Sequence, residues 1–143
     1  MNAPSDDLQR FVIAQDAVYA QVKGELQSGR KASHWMWFIF PQLRGLGVSS
    51  MATFYGLGSA SEALGYWRHP TLGARLRECT ELVLAVEGKS AHEIFGSPDD
   101  VKLRSCMTLF AAVATDEPIF GQVLKRFYNG QPDDRTLKLL SPR

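Results

Sequence analysis

Apolar residues recur every three or four positions along most of this chain, which is the spacing that places them on one face of an α-helix. No stretch alternates apolar and polar residues for long enough to form a strand. The helical signal is strongest over residues 6–28, and Gly29 follows where a helix is expected to end. The apolar residues of that period are Leu8, Phe11, Val12, Val18, Tyr19, Val22 and Leu26. We therefore predict an all-α fold.

Helix-start signals divide the rest of the chain. Ser59 with Glu62, and Ser90 with Glu93, have the spacing of a capping box, which satisfies free backbone amides at a helix start. First-turn prolines indicate further helices, since proline lacks the amide hydrogen that is unpaired there anyway; they are Pro70, Pro98, Pro118 and Pro132. These signals predict a compact, multihelical bundle of about six to eight helices.

The length of 143 residues and the even distribution of apolar residues fit one domain. No repeat, low-complexity tract or long linker divides the chain. The first residues are polar and acidic, so they do not resemble a secretory signal. We predict a disordered tail at residues 1–7 and a single helical domain over residues 8–143.

The charge balance argues against a broad electrostatic surface. The chain has 16 Lys and Arg against 15 Asp and Glu, so we expect no nucleic-acid partner and no membrane partner. The longest apolar run, residues 35–40, is far shorter than the roughly 20 residues that cross a bilayer. Cys79 and Cys106 lack the close pairing of a zinc or redox site, and we expect both to be buried. These features are typical of a cytoplasmic protein.

One decapeptide, residues 33–42 with the sequence SHWMWFIFPQ, directly follows two cations. Cations, an imidazole and aromatic faces together suit an anion that carries a flat ring, through hydrogen bonds to its charge and stacking on its plane. We predict that Ser33 caps a short buried helix there, whose amides add to the anion site. The ligand-binding residues assigned to this segment are Arg30, Lys31, Ser33, Trp35, Trp37 and Gln42.

Each of these residues also has a structural explanation. Arg30 and Lys31 suit the negative end of the preceding helix. Trp35 and Trp37 diverge on a helix, so we expect one in the core and the other beside a cleft. His34 is either a structural imidazole or, if the protein is an enzyme, the first candidate for a catalytic general acid or base. The sequence does not identify a reaction.

A second cationic segment lies near the start of the helix predicted from residue 97. Cations there oppose the helix dipole, so either the neighbouring aspartates pair with them or they bind an oxyanion together with the helix amides. Our leading hypothesis is that residues 30–42 and the 97–110 helix form a cleft for an anionic small molecule, such as a nucleotide or an ADP-ribose-like compound. The residues assigned to the second segment are Lys102, Arg104, Ser105 and Thr108.

Other kinds of site receive little support. The three histidines lack the spacing of metal ligands, and no glycine-rich phosphate loop follows a strand, so we expect no metal and no cofactor. The alternative function belongs to another class: a protein-interaction module with an exposed aromatic patch, because aromatic residues dominate interface hot spots. Its candidate anchors are Phe54, Tyr55, Tyr66 and Trp67.

Several runs of sequence together have a family likeness: GRKASHWMWFIFPQLRGLG, FYG, EALGYWRHPTLGARL, IFGSPDDVKLRSCMTLF and DDRTLKLL. They resemble the bacterial family called domain of unknown function 1810, whose members are sometimes labelled calpastatin. The resemblance extends from Leu8 to Leu140 and implies a compact, mainly helical domain. It brings no established reaction and no catalytic residues. True calpastatins are disordered inhibitors, whereas the apolar periodicity of this chain is typical of a folded domain.

Overall fold

A computed structural model describes residues 7–141 as α-helices joined by short loops, and no strand forms within that range. The all-α prediction is confirmed. Residues 1–6, most of the predicted tail, and residues 142–143 lie outside the described residues. The helices are α1 (Gln9–Asp16), α2 (Tyr19–Gln27), α3 (Met36–Ile39), α4 (Ser50–Tyr55), α5 (Ala60–Arg68), α6 (Leu72–Ala85), α7 (Ala91–Phe95), α8 (Asp99–Val113), α9 (Ile119–Tyr128) and α10 (Asp134–Leu140).

The ten helices of the described range exceed the six to eight expected, partly because the single long helix predicted there is divided into α1 and α2. The break falls at Val18, whose φ of −133° and ψ of 3° are not helical. The Val18 amide donates to the carbonyl of Gln15, three residues back, which is a tighter turn than an α-helix makes. The apolar residues keep their helical period across this break, so the sequence pattern does not reveal it.

Two predicted capping sites are confirmed and a third is wrong. Ser90 forms a complete capping box at the start of α7. The Ser59 hydroxyl accepts a hydrogen bond from the amide three residues later, at 3.0 Å. Ser33 caps no helix, because α3 begins only at Met36 and the Ser33 hydroxyl donates instead to Glu25, at 2.7 Å.

The long helix α8 lies at the centre of the packing, in contact with α5, α7, α9 and α10. Its Phe110 is fully buried, with ring centres 5.6 Å from Tyr66 and 5.7 Å from Phe120. Burying an aromatic side chain of this kind contributes about 1.5–3 kcal/mol. Cys79 and Cys106 are buried, as predicted. No helix in residues 7–141 is both long and apolar enough to cross a membrane.

Residues 44–56, which we call the α4 segment, form an excursion from the helical bundle whose two ends lie side by side. A parallel bridge joins Leu43 to Leu57, and the Leu57 amide donates to the Gln42 carbonyl at 3.0 Å. Arg10 holds the C-terminal end of the segment, because its guanidinium donates to the carbonyls of Phe54 and residue 56 at 2.8 and 3.2 Å. Helix α4 within the segment has no buried residue. The segment therefore forms one wall of a cleft rather than part of the core.

Candidate functional site

A cleft of about 550 Å³ opens between the α4 segment, the first half of α8 and the start of α10. This volume is in the usual range for small-molecule sites. We call it the α4–α8 cleft. Its apolar lining residues are Trp37, Leu46, Val48, Ala52, Pro98 and Val101, and its polar ones are Gln42, Ser49, Lys102, Ser105, Asp133 and Arg135. Four of the residues assigned to a ligand site from the sequence thus share one cleft: Trp37, Gln42, Lys102 and Ser105.

The two tryptophans of the decapeptide diverge. Trp35 is 1% exposed, and its indole nitrogen donates to Glu25 at 2.8 Å, so it belongs to the core. Trp37 is half-buried and lines the cleft. Lys102 of α8 extends over the Trp37 ring, with Nζ 4.5 Å from the ring centre. A cation and an aromatic surface are therefore adjacent on one wall.

Lys102 shares its carboxylate partner with a second lysine. Asp99 accepts from Lys31 at 2.7 Å through Oδ2, and its Oδ1 lies 3.5 Å from Lys102 Nζ. The Lys31 side chain is 8% exposed, and its ammonium also lies 5.1 Å from the Trp35 ring centre. One carboxylate thus neutralises only one of the two ammonium groups. The remaining positive charge lies on the cleft side, where Lys102 lines the wall.

Two further cleft residues have hydrogen-bonding capacity to spare. The Gln42 side-chain amide makes no hydrogen bond to another residue in the range 7–141. Arg135 makes one long hydrogen bond, 3.5 Å to the Gly45 carbonyl, and pairs with no carboxylate in that same range. Ser105 is less available, since its hydroxyl donates to the Val101 carbonyl at 3.3 Å. Donors without a partner are the groups that can bond a ligand.

Asp133 supplies the negative charge of the lining. Its Oδ2 accepts from the amide and the hydroxyl of Thr136, at 2.9 and 2.6 Å, and so caps α10. This agrees with the sequence, in which the neighbouring acids at residues 133 and 134 fit a helix start better than paired acid-base catalysis. Capping uses one carboxylate oxygen and leaves the charge of the group in place.

The basic loop that precedes α3 lies outside the cleft and is held by one carboxylate. Glu25 accepts from the amides of Ala32 and Ser33 at 2.8 and 3.1 Å, and also from the Ser33 hydroxyl and the Trp35 indole. Burial by itself raises the pKa of Glu25, but these hydrogen bonds outweigh it and lower the pKa to about 2. Glu25 is thus not an ordinary solvated residue of α2. Its helical spacing carries no signal of the loop that folds over it.

Four residues assigned to ligand binding in this loop are therefore placed differently by the structure. Lys31, Ser33 and Trp35 use their polar groups on Asp99, on Glu25 or on the backbone. Arg30 is exposed and lines a separate open groove, together with Gln21, Gly24, Glu25, Ser28, Lys31 and Ala32. His34 is also exposed and is absent from the lining of the cleft, so its catalytic role stays a prediction without a site around it.

Arg104 and Thr108 fasten the chain before α10 instead of lining the cleft. Arg104 Nε donates to the carbonyl of Gln131 at 2.9 Å. The Thr108 hydroxyl donates to the Arg104 carbonyl at 2.8 Å and accepts from the Asp133 amide at 2.9 Å. Three amides at the start of α8, those of Asp100 and the next two residues, already donate to carbonyls of the preceding turn and are not available to the expected oxyanion. Arg104 and Thr108 thus contact the chain that leads into the first turn of α10, and they contribute to the cleft only through its position.

Arg135 is a charged cleft residue that sequence reasoning missed. It lies in the first turn of α10, and it reaches the cleft only because the chain before it is tied to α8. A cation in the first turn of a short, polar helix gives no sequence signal by itself. The cleft brings together residues more than 90 positions apart in the chain, Trp37 and Arg135, which line it from different elements.

The cysteines offer no nucleophile. Burial raises the pKa of the Cys79 thiol to about 12, and burial likewise raises the pKa of Cys106 well above its ordinary value. A neutral, buried thiol is a poor nucleophile and a poor metal ligand. Within residues 7–141, no three His, Cys, Asp or Glu side chains come together as metal ligands would.

The aromatic residues predicted as docking anchors are mostly internal. Tyr66 is fully buried and packs edge-on against Phe11, with ring centres 5.1 Å apart. Trp67 packs against Phe120 at 5.2 Å, and Tyr55 is half-buried. Phe54 is the predicted anchor that is well exposed, at 55%. The patch expected from four aromatic residues therefore does not form as predicted, because the helical period turns Tyr66 into the core.

Comparisons with known proteins agree with this fold. The family model of a protein of unknown function, DUF1810, matches residues 5–140. Among solved structures, the chain is similar to the conserved hypothetical protein Rv1873 from Mycobacterium tuberculosis, with a TM-score of 0.93 and 54% sequence identity. The match covers 94% of this chain and 96% of that chain. No curated protein matches.

Proposed function

The chain belongs to the family of proteins of unknown function DUF1810, and from the chemistry of its cleft we propose that it binds an anionic small molecule that carries a flat ring. The observation that carries the proposal is the pairing of Lys102 with Trp37, with Nζ 4.5 Å from the ring centre at the wall of the cleft. A cation beside an aromatic face matches a ligand in which a charged group lies beside a ring.

The anionic group of the ligand is assigned to Lys102 and Arg135. Lys102 Nζ lies 3.5 Å from Asp99, which also pairs with Lys31, and Arg135 pairs with no carboxylate in the described range. An arginine guanidinium presents a planar fork of donors that fits a carboxylate or a phosphate. These two side chains face one cleft from α8 and α10, so a ligand anion between them replaces weak contacts with stronger ones.

The ring of the ligand is assigned to Trp37 and Gln42. The half-buried indole offers an aromatic surface, and the Gln42 amide at the same cleft makes no hydrogen bond to other side chains or backbone groups of residues 7–141, so it can both donate to and accept from a ligand. A heteroaromatic ring, such as a nucleotide base, has both a face to stack and an edge with matching hydrogen-bonding groups. Nucleotides and ADP-ribose-like compounds combine such a ring with an anion. We propose no reaction at this cleft.

The test is a thermal-shift screen followed by calorimetric titration, with nucleotides, ADP-ribose, aromatic acids and inorganic phosphate as probes. A ligand at 100 times its Kd adds about 2.7 kcal/mol of stability, which raises the Tm of a chain of this size by about 5–10 °C. Lys102→Ala and Arg135→Ala should each weaken binding about tenfold, equal to about 1.4 kcal/mol. Each should change the stability of the free protein by less than about 0.5 kcal/mol, because both side chains make weak surface contacts.

Arg30→Ala is the matched control, because it removes an exposed cation of the same kind outside the cleft. It should leave the affinity unchanged. Equal losses in Arg30→Ala and Arg135→Ala would point to a general charge effect and not to the cleft. The absence of any shift across the whole panel would contradict the proposal.

A second candidate function is protein binding through α4. This helix buries none of its residues, and Phe54 and Met51 on it are 55% and 39% exposed, with Val48 beside them at 99%. An exposed apolar group of this kind can mark an interaction surface. A binding partner that is lost with Phe54→Asp and kept with Lys102→Ala would favour this function over ligand binding.

A further inference from the structure

Cations and carboxylates nearly balance around the α4–α8 cleft. Lys102, Arg135 and Asp133 all line the cleft, and Asp99 pairs with both Lys102 and Lys31 beside it. Three positive charges therefore meet two negative ones, which leaves the surroundings of the cleft with a single excess positive charge. The excess is small for a site that attracts an anion.

A ligand with several negative charges needs more than this cleft provides. Sites for polyphosphates use clusters of cations, metal ions or unpaired backbone amides at a helix start. Here the amides of Asp100, Val101 and Lys102 at the start of α8 already donate to carbonyls, that of Asp100 to Gly96 at 2.9 Å. The Asp133 carboxylate also remains in the wall and repels any negative charge that the cations do not neutralise.

We infer that the cleft selects a flat-ring compound with a single negative charge and that Asp133 determines this selection. The inference rests on the proposed function and narrows it to one charge class. One anionic group is satisfied between Lys102 and Arg135, whereas each further negative charge faces Asp133 without a counterion. Asp133 is suited to this role because capping α10 fixes its position: its Oδ2 bonds both the amide and the hydroxyl of Thr136.

The first experiment is a titration series in which the ring stays constant and the charge changes. Adenosine, cyclic AMP, AMP and ATP are titrated by calorimetry in metal-free buffer of about 0.05 M salt, where charge effects are weakly screened. A second series uses indole, indole carboxylate and an indole dicarboxylate. In the series that binds, the singly charged member should be the tightest, and the most charged member should be about tenfold weaker.

The results separate this inference from the proposed function. Affinity that rises steadily with the number of negative charges would overturn the inference and leave anion binding at the cleft intact. Binding of the neutral members as tightly as the singly charged ones would overturn both, since the cations would then contribute nothing. No binding in either series would also overturn both.

The second experiment tests Asp133 directly. Asp133→Asn removes the charge and keeps the cap, because asparagine accepts the same hydrogen bonds at a helix start. It should strengthen binding of the doubly charged ligand about fivefold to tenfold more than binding of the singly charged one. Asp134→Asn is the matched control: it removes the neighbouring exposed carboxylate, which does not line the cleft, and should change neither affinity. Equal responses of the two variants would remove Asp133 from the role.

Discussion

The loop at residues 30–35 and the α4–α8 cleft contain the same kinds of residue, but the loop uses Lys31, Ser33 and Trp35 in contacts within the protein, whereas the cleft leaves Gln42 and Arg135 with few or none in residues 7–141. In the loop, the Trp35 indole, the Ser33 hydroxyl and two amides all donate to Glu25, and Lys31 pairs with Asp99. In the cleft, the Gln42 amide has no protein partner within residues 7–141. A dense group of cations and aromatic residues is therefore no guide to a binding site until the partners of its polar groups are known.

The comparison teaches that the loop is a structural support for the cleft. The hydrogen bonds of Glu25 fix the chain just before α3, and α3 presents Trp37 to the cleft. Lys31 continues this support on the other side, because it holds the Asp99 carboxylate that also contacts Lys102. Changes in the loop should therefore act mainly on stability, and changes in the cleft mainly on ligand binding.

The largest expected effect is that of Glu25→Ala. It leaves the buried end of the Trp35 indole and two loop amides without their charged acceptor, and hydrogen bonds to a charged group contribute about 1.5–3 kcal/mol. We expect a loss of about 3 kcal/mol in the free energy of unfolding, measured by urea denaturation. Glu81→Ala, at an exposed position of α6, is the control and should change it by less than about 0.5 kcal/mol. A loss below about 1 kcal/mol for Glu25→Ala would mean that the loop holds its shape without this carboxylate.

A smaller effect is expected for Thr108→Val, which should affect both stability and ligand binding. The substitution keeps the shape of a side chain that is 2% exposed but removes the acceptor of the Asp133 amide, at a cost of about 1 kcal/mol. It should also weaken ligand binding severalfold, because the first turn of α10 carries both Asp133 and Arg135.

Thr80→Val is the control for that prediction. Thr80 is equally buried, and its hydroxyl donates to the Leu76 carbonyl within the same helix, so its loss disturbs no contact between elements. Stability of the two variants is compared by urea denaturation and ligand affinity by calorimetry. If Thr108→Val loses stability and keeps full affinity, the start of α10 does not position the cleft.

Much of the fold follows from the sequence, for reasons that are local. The box at Ser90 depends on residues three positions apart, and the apolar stripe of α6 depends on the helical period, so both are visible in the sequence. The break at Val18 is not visible, because the period continues through it. The site was predictable in part: Trp37 and Lys102 were expected in one cleft, and they are in contact.

The other site residues depend on tertiary packing. Arg135 reaches the cleft because Thr108 ties the start of α10 to α8, and Glu25 matters because a loop up to ten residues later folds onto it. Neither contact has a fixed sequence spacing, so no pattern along the chain indicates it. Composition marked the decapeptide correctly as unusual, but it did not distinguish a support from a binding surface.

Glu25 should also give the stability of the loop a pH dependence. Its pKa is lowered to about 2 from the ordinary value of 4.5, so the native state binds a proton less readily than the unfolded chain. The stability that Glu25 contributes is therefore fully present above pH 4.5 and declines as the pH falls toward 2. Glu25→Gln keeps the size of the side chain and removes this dependence. Urea denaturation gives the difference in unfolding free energy between the wild-type protein and Glu25→Gln. This difference should be largest at pH 7 and shrink steadily between about pH 4.5 and pH 2. A constant difference over that range would show that the shape of Glu25, and not its charge, organises the loop.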